Sequence, residues 1–309
     1  MKKHIVIFAT IIIVFAAFTG YSSTSDAETT RVVVDELGRE ITIPENPQRV
    51  LGLTSAAMEA VYNLGLKPVG KIAEYKVRKE GMKLPSVGKA QSVNIEAIYA
   101  LAPDLIIANS RFHAVLEDEL EGSGAAVYFF DPEKAGDIPF VELTAYIGRV
   151  LNRVDAGEAF VASAFAQAEK LAAQIAEKRG FKTGIMLRVG EKVLAAQSAS
   201  SFGSMLSLLG IKNIVPANLP NAKKSSFVMY DIEQIVADNP DVIFLIAQSK
   251  DQEANAQMLQ QFMADTKWAA LDAVKHKTVF ILPFSANPNR SAPVDMLKIT
   301  ANVLLKGQK

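Results

Sequence analysis

Cations and aromatic rings recur together in several short segments of this chain, a combination that suits the binding of small anionic molecules. Tyr75-Lys76-Val77-Arg78 and Ser110-Arg111-Phe112 contain both, and Phe284 to Asn287 adds a further aromatic ring with polar neighbours. A guanidinium group holds carboxylates through paired hydrogen bonds and also stacks on aromatic faces. These segments therefore indicate recognition of a flat or aromatic, anionic ligand.

The residue patterns of common catalytic sites are missing from the sequence. Cysteine is absent, which excludes a thiolate nucleophile, a thiolate metal site and a disulfide framework. The complete phosphate-binding pattern G-x-x-x-x-G-K-S/T is missing, because Ile72 follows the only G-x-x-x-x-G-K match at residues 65–71, and the dinucleotide-binding G-x-G-x-x-G and nucleophile-elbow G-x-S-x-G patterns are missing as well. We expect binding without covalent chemistry, so no catalytic residue and no intrinsic cofactor are assigned.

Histidine is too scarce for a clustered divalent-metal site. Beyond residue 27 the sequence has only His113 and His276. His113 follows Phe112 and is kept as a candidate iron or metal ligand, whereas His276 lies between lysines and is expected in a solvated turn. The identity of any metal site stays unknown at this point.

Length and charge limit the class of protein. A chain of 309 residues is long enough for two ordinary domains. Its 33 basic residues balance 33 acidic ones, without the clustered positive charge that nucleic-acid binding requires. We therefore expect a two-domain globular protein with no nucleic-acid partner.

The first 27 residues have the three parts of a secretory signal peptide. Lys2 and Lys3 precede the apolar run Ile5 to Phe18, and small and polar residues follow as far as Ala27. The alternative, a retained membrane anchor, would favour a longer apolar run. Tyr21 stands where a lipoprotein has its acylated cysteine, so a free periplasmic protein is expected unless Tyr21 replaces a natural cysteine.

Apolar runs alternate with helical stretches along most of the chain, after a hairpin formed by residues 32–34 and 41–43. The runs predicted as strands are Val50 to Leu53, Leu105 to Ala108, Val127 to Phe130, Gly184 to Val189, Lys192 to Ala196 and Thr278 to Leu282. The stretches predicted as helices are Ala56 to Leu64, Ile95 to Leu101, Ala114 to Leu120, Ser204 to Leu209 and the residues after Pro293. This alternation predicts an α/β fold with mostly parallel sheets flanked by helices.

An internal repeat indicates two similar lobes. Residues 94–107 (NIEAIYALAPDLII) and 231–244 (DIEQIVADNPDVIF) are identical at seven of fourteen positions. Each copy begins with a helix-capping residue and has an acid in the first turn, followed by Pro-Asp and an apolar strand. We predict an N-terminal α/β lobe over residues 28–138 and a C-terminal α/β lobe over residues 180–309.

A helical connection is predicted between the two lobes. Residues 139–179 are rich in Ala, Leu, Glu and Lys and contain no proline after Pro139. Asp155 and Glu158 have the spacing of a capping box, so we place the start of the longest helix there, from Ala156 to Arg179. Such a helix would be about 36 Å long and would run along both lobes.

The export signal, the twin lobes and the long helix together resemble the helical-backbone class of periplasmic binding proteins, which serve ABC importers of siderophores, heme and cobalamin. The stretches DELGREITIPENPQRV, PSVGKAQSVNIEAI and FGSMLSLLGIKNIV also match, and the resemblance covers residues 30–305. It implies a monomer that carries an iron chelate, either heme or a ferric siderophore, to a permease dimer with its ATPase subunits. Cobalamin is the alternative ligand, and a chelatase-like enzyme or an adhesive surface protein is the alternative function.

One glutamate on each lobe docks onto a permease subunit in that family, and the matching residues are Glu96 and Glu233. Two equivalent carboxylates suit a two-fold symmetric partner that offers arginines. The alternative is that both are first-turn acids that only stabilise their helix dipoles.

The ligand is expected where the carboxyl ends of the strands of the two lobes face each other. The predicted contact residues are Thr54, Ser55, Tyr75, Arg78, Gln91, Arg111, Phe112, Arg188, Ser200, Gln248 and Phe284. The stretches LPSVGKAQS and NPDVIFLIAQSKD are similar to the heme-binding branch, whose members supply a methionine and a histidine to the iron. Here the corresponding places hold Gln91 and Gln248, which are poor iron ligands.

Overall fold

The computed structural model describes residues 29–135, 139–219 and 225–307, so the predicted signal peptide lies outside the described residues. The first part of the chain contains β1 (Thr30–Val34), β2 (Glu40–Pro44), β3 (Val50–Gly52), α1 (Ser55–Asn63), β4 (Gly88–Lys89), β5 (Ser92–Val93), α2 (Ile95–Leu101), β6 (Leu105–Asn109), α3 (Ser110–His113), α4 (Glu117–Glu121) and β7 (Ala126–Phe130). Two helices follow, α5 (Pro139–Val150) and α6 (Val154–Lys178).

The second part has the same alternation of strands and helices. It contains β8 (Thr183–Arg188), β9 (Leu194–Ala196), α7 (Gly203–Leu208), β10 (Lys212–Asn213), β11 (Phe227–Met229), α8 (Ile232–Asp238), β12 (Val242–Ile246), α9 (Gln252–Ala264), α10 (Asp272–Lys275), β13 (Val279–Leu282) and α11 (Pro293–Lys306). Short 3-10 turns span Gly81–Lys83, Ala114–Leu116, Pro132–Lys134 and Thr266–Trp268.

Two larger sheets organise these elements, and β1-β2 and β4-β5 form two further antiparallel pairs. The first is wholly parallel in the order β3-β6-β7, and the second has the order β11-β9-β8-β12-β13, with β10 also paired to β8. In the second sheet β8, β10, β12 and β13 are parallel. Strand β9 is antiparallel to both of its neighbours, β8 and β11. We call each sheet with its packed helices a lobe, and the predicted α/β class with mostly parallel sheets is confirmed.

The two repeat copies lie in different lobes and fold alike. Asn94 caps α2 by accepting a hydrogen bond from the Ala97 N–H, and Asp231 caps α8 by accepting one from the Glu233 N–H. Both helices end on a left-handed residue with φ of 41°, Ala102 in the first copy and Asn239 in the second. The shared sequence therefore encodes one local structure twice.

The Pro-Asp pair of each repeat fixes the start of a neighbouring strand. The Asp104 carboxylate accepts from the backbone N–H groups of Gln48 and Arg49 at 2.6 and 2.8 Å. The Asp241 carboxylate accepts from those of Lys182 and Thr183 at 2.7 and 2.9 Å. Each aspartate thus joins its own strand to the adjacent parallel strand, a role that the sequence alone did not indicate.

The connection between the lobes is two helices rather than one. Helix α5 ends at Val150, and its residues Leu143, Ile147 and Val150 pack in the core of the first lobe. Helix α6 carries Ala164 and Ala168 into the core of the second lobe. With 25 residues it is about 37 Å long, so the predicted long helix is confirmed for the segment after the turn.

The predicted capping box at the start of α6 is not formed. The helix begins one residue before Asp155, and the preceding Arg153 makes no side-chain cap. The Arg153 N–H bonds instead to the Gly148 carbonyl at 2.7 Å, and a Cβ on Gly157 would lie 2.8 Å from the Ala145 Cα. The tight turn and the close approach of α5 and α6 therefore set this helix start.

The predicted helix Ala114 to Leu120 is also divided. Its first residues form a 3-10 turn between α3 and α4, and α4 begins at Glu117. The cause is local, because the side chain of His113 folds back to accept a hydrogen bond from the Asn109 N–H.

No helix in the described ranges combines the length and the apolar character needed to cross a membrane. The single tryptophan, Trp268, is buried and stacks on Phe262 with ring centroids 4.7 Å apart. It packs in the core of the second lobe.

Candidate ligand-binding site

The carboxyl edge of the first sheet brings together residues from two loops. Thr54 and Ser55 follow β3, and Arg111 and Phe112 follow β6. Because these strands are parallel neighbours, their following loops share one edge. Phe112 is exposed, and Arg111 forms an ion pair with Asp131 at 3.5 Å.

The corresponding edge of the second sheet carries Arg188, Gln248 and Phe284. They lie at or just after the ends of β8, β12 and β13, three adjacent parallel strands. The Gln248 side-chain amide donates to the Val189 carbonyl at 3.3 Å, which ties two of these loops together. The structure therefore assembles three of the predicted residues along one edge.

The loops of the two edges touch. The backbone N–H of Lys76 in the first lobe donates to the Asn289 carbonyl in the second at 2.8 Å. Beside this contact, α1, α5 and the segment 288–293 enclose a cavity of about 20 Å³, room for about one water molecule. The seam between the lobes is therefore closely packed here.

A buried glutamate organises the first-lobe side of the seam. Glu59 accepts hydrogen bonds from the Tyr75 hydroxyl and from Arg78 Nε, the latter at 3.1 and 3.2 Å to its two oxygens. Arg78 also donates to Asn63 at 2.6 Å and lies over the Tyr62 ring, 4.8 Å from its centroid. The charge of Arg78 is thereby matched within the lobe.

Burial raises the pKa of Glu59, and the neighbouring charge of Asp295 raises it further, although hydrogen bonds from Tyr75 and Arg78 act in the opposite direction. Glu59 was not predicted from the sequence as part of the site. Its signal was present, because Glu59 is the one charged residue in the helix SAAMEAVYN. A carboxylate on an otherwise apolar helix requires buried partners.

Three of the predicted contact residues prove to be structural. Tyr75 is fully buried against Glu59, so it supports Arg78 rather than facing the cleft. Ser200 is buried, donates to the Gln197 carbonyl at 2.7 Å and accepts from the Gly203 N–H at 3.0 Å. Thr54 caps α1 through the Ala57 N–H at 3.1 Å, although it remains half-buried at the edge.

His113 is also occupied by structural contacts. Its Nδ1 accepts from the Asn109 N–H at 3.0 Å, and its Nε2 lies 2.6 Å from the Ala90 carbonyl, to which it therefore donates. Burial lowers the pKa of His113, which favours this neutral form. With both nitrogens bonded and the ring 1% exposed, His113 is removed as a candidate iron ligand.

Three further predicted contact residues are accessible, and one is buried. Gln91 is exposed at the turn between β4 and β5, Gln248 is exposed, and Phe284 is partly exposed beneath Arg290. Ser55 is buried, and its hydroxyl has no hydrogen-bond partner within the described ranges. His276 is exposed in a turn, as predicted.

A second depression lies at the opposite edge of the second sheet. It has a volume of about 320 Å³ and is lined by residues near the amino ends of the strands, among them Arg179, Asp241, Asp272 and His276. No group of three or more His, Asp or Glu side chains in the described residues is placed to hold a metal ion.

Comparison with known proteins decides the family. The sequence profile of the family described as periplasmic binding protein matches residues 50–286, which include both sheets and the helices between them. This chain belongs to the periplasmic binding protein family.

Relatives within the family differ in the ligands that their names carry. The Bacillus subtilis protein named "Probable siderophore-binding lipoprotein YfiY" is 30% identical over 298 residues, covering 89% of each chain. The Staphylococcus aureus "High-affinity heme uptake system protein IsdE" is 23% identical over 257 residues, covering 81% of this chain and 85% of its own. The fold matches that of Staphylococcus aureus SirA complexed with staphyloferrin B, with a TM-score of 0.70 at 19% identity, over 91% and 99% of the two chains.

The two glutamates that resemble the docking residues of this family occupy equivalent places. Glu96 lies in the first turn of α2 and Glu233 in the first turn of α8, and both are exposed. Within the described ranges neither carboxylate takes part in an ion pair. The repeat therefore presents one free carboxylate at the same position on each lobe.

Proposed function

We propose that this protein is the extracytoplasmic substrate-binding component of an ABC importer, and that it captures an iron chelate between its two lobes. The observation that carries the proposal is the contact between the carboxyl edges of the two sheets through Lys76 and Asn289, with Arg188, Phe284 and Phe112 placed along them. The names of the siderophore-binding and heme-uptake relatives support an iron-containing ligand.

The side chains favour a chelate whose iron is already saturated. Of the predicted contact residues, Tyr75 is buried and Gln91 and Gln248 offer only amide oxygens, while His113 has both nitrogens bonded. Proteins hold heme iron with histidine, methionine, cysteine or tyrosine side chains. A ferric siderophore therefore fits better than heme, with heme and cobalamin as the alternatives.

We propose that Glu96 and Glu233 dock the loaded protein onto the two subunits of a permease. Charge-assisted hydrogen bonds from arginine to an exposed carboxylate fix orientation more than they add affinity. One carboxylate on each repeated unit matches a partner with two equivalent binding pockets. The predicted residues 28–138 and 180–309 form the two lobes in this proposal, and one monomer carries one ligand.

The proposed role requires no bond to be made or broken, so the protein is a carrier rather than an enzyme. It also requires export, which the predicted signal peptide over residues 1–27 would provide. A chelatase-like enzyme is the rival to be tested.

The test is a titration of the ligand-free purified protein with ferric citrate, ferrioxamine B, a ferric catecholate, heme, cyanocobalamin and molybdate. Calorimetry gives the stoichiometry, and absorption follows the iron and porphyrin bands. We expect one-to-one binding of a ferric siderophore or ferric carboxylate with a Kd below about 1 μM, and no lasting Soret shift with heme.

Three outcomes would count against parts of this proposal. A saturable Soret shift would show that the ligand is heme rather than a ferric siderophore. Saturable binding of molybdate or cobalamin alone would overturn the iron chelate. Metal insertion into a free porphyrin by the purified protein would assign the chelatase instead.

A further inference from the structure

Two arginines of the second lobe have no counter-charge. The Arg188 Cζ lies 4.1 Å from the centroid of the Phe227 ring, and the Arg290 Cζ lies 4.4 Å from that of Phe284. Throughout the described ranges, neither guanidinium group forms an ion pair or a side-chain hydrogen bond. Each is held by an aromatic face alone, with its N–H groups free to donate.

In the first lobe, the two arginines predicted as ligand contacts form ion pairs with acidic residues. Arg78 is paired with Glu59 at 3.1 Å and bonded to Asn63, and Arg111 is paired with Asp131 at 3.5 Å. Their positive charges are therefore matched inside the lobe. The two arginines without a counter-charge along the edges therefore belong to the second lobe.

Both arginines without a counter-charge lie near the seam between the lobes. Arg188 is the last residue of β8, at the carboxyl edge of the second sheet. Arg290 lies in the loop after β13, next to Asn289, whose carbonyl accepts the inter-lobe hydrogen bond from Lys76. Both side chains therefore belong to the edge where the ligand is proposed to bind.

Guanidinium groups without a counter-charge are suited to bind an anionic ligand. Burial lowers the pKa of Arg188, because removing a cation from water without a counter-charge is unfavourable. The stacked ring orients the guanidinium plane and reduces the entropy lost when its N–H groups bind an anion. Carboxylates accept such paired N–H groups in the same plane.

We propose that the ligand is a ferric chelate with free carboxylate groups, and that Arg188 and Arg290 of the second lobe bind those carboxylates while Phe227 and Phe284 orient the arginines. This inference rests on the proposed function and narrows it to a substrate class. Arg290 and Phe227 were not among the residues predicted from the sequence.

The experiment compares two probes on wild-type protein and four variants by calorimetry. Ferric citrate carries carboxylates, whereas ferrioxamine B binds its iron through hydroxamates and has no carboxylate. The variants are Arg188→Gln, Arg290→Gln, the double variant, and Arg188→Lys, which keeps the charge but loses the planar fork. Arg149→Gln is the matched control, because Arg149 also lies over a ring, that of Tyr146, away from both edges.

We expect each glutamine variant to weaken ferric citrate binding about tenfold and the double variant about a hundredfold, since each removes a charge-assisted hydrogen bond. Arg188→Lys should fall between wild type and Arg188→Gln, and Arg149→Gln should bind as wild type does. Circular dichroism shows whether each variant is folded. If Arg188→Gln does not fold, the binding of ferric citrate by Arg290→Gln and Arg188→Lys tests the proposal.

Failure of this inference and failure of the proposed function give different results. If the wild type binds ferrioxamine B more tightly than ferric citrate, or if the double variant binds ferric citrate as tightly as wild type, the carboxylate assignment is wrong while iron transport stands. If no ferric complex binds to the wild type, both are wrong.

Discussion

Replacing both Glu96 and Glu233 with lysine is expected to abolish ligand import while the dissociation constant of the bound chelate stays unchanged. Both carboxylates are exposed in the first turns of equivalent helices. Reversing their charge turns two attractions to arginine into repulsions, each of which costs several kcal/mol at an interface. Neither residue is among the predicted ligand contacts, so we expect ligand binding to stay unchanged.

Uptake of radiolabelled iron by cells that carry only the variant measures import, and calorimetry on the purified variant measures affinity. The double substitution Glu169→Lys with Glu177→Lys is the control, because it makes the same change in net charge on the exposed surface of α6. Normal uptake by cells with the Glu96 and Glu233 double variant would show that the two residues do not dock the protein and only stabilise their helix dipoles. An equal loss of uptake and affinity would also count against docking.

The largest effect on stability is expected for Gly203→Ala. A Cβ at this position would lie 2.0 Å from the Gln197 carbonyl oxygen and 2.8 Å from the Asn213 side-chain nitrogen. Gly203 opens α7, and its N–H is bonded to Ser200, so the backbone has little freedom to withdraw. We expect the free energy of unfolding to fall by about 3 kcal/mol.

The matched control for this change is Gly190→Ala. Gly190 lies in the loop after β8, and a Cβ there would meet no atom within 4 Å. Its unfolding free energy should stay within about 0.5 kcal/mol of wild type. Chemical denaturation followed by the fluorescence of Trp268, which lies in the second-lobe core, measures both variants. Equal stability of the two variants would show that the loop 197–203 adapts to the added methyl group.

Much of the fold could be predicted because its signals are local. The repeat carries capping residues, an acid in the first turn and a Pro-Asp stop within fourteen positions, and each of these acts on its nearest neighbours in the chain. Helix α2 was predicted with its observed ends, Ile95 and Leu101. Where several local signals agree in this way, tertiary contacts rarely override them.

The errors come from contacts between distant residues. The turn that separates α5 from α6 depends on the approach of Gly157 to Ala145. The roles of Tyr75 and Arg78 depend on Glu59, which is 16 and 19 positions away and was not noticed. Strand ends indicated which loops lie along the two edges, but they did not show whether a side chain in a loop is exposed or buried. Ser200 was predicted as a ligand contact, and His113 was kept as a candidate iron or metal ligand, for this reason.

The central claim is that a ferric chelate binds between the two carboxyl edges, and paramagnetic broadening of backbone NMR signals tests it most directly. Spectra of the protein with the Fe³⁺ complex of the chelate that binds are compared with spectra of the same complex made with diamagnetic Ga³⁺. Iron should broaden the signals of Ser55, Phe112, Gln248 and Phe284, which lie on both edges. Signals of α10, at the opposite edge of the second sheet, should stay sharp. Broadening confined to one lobe, or centred away from these loops, would contradict the account.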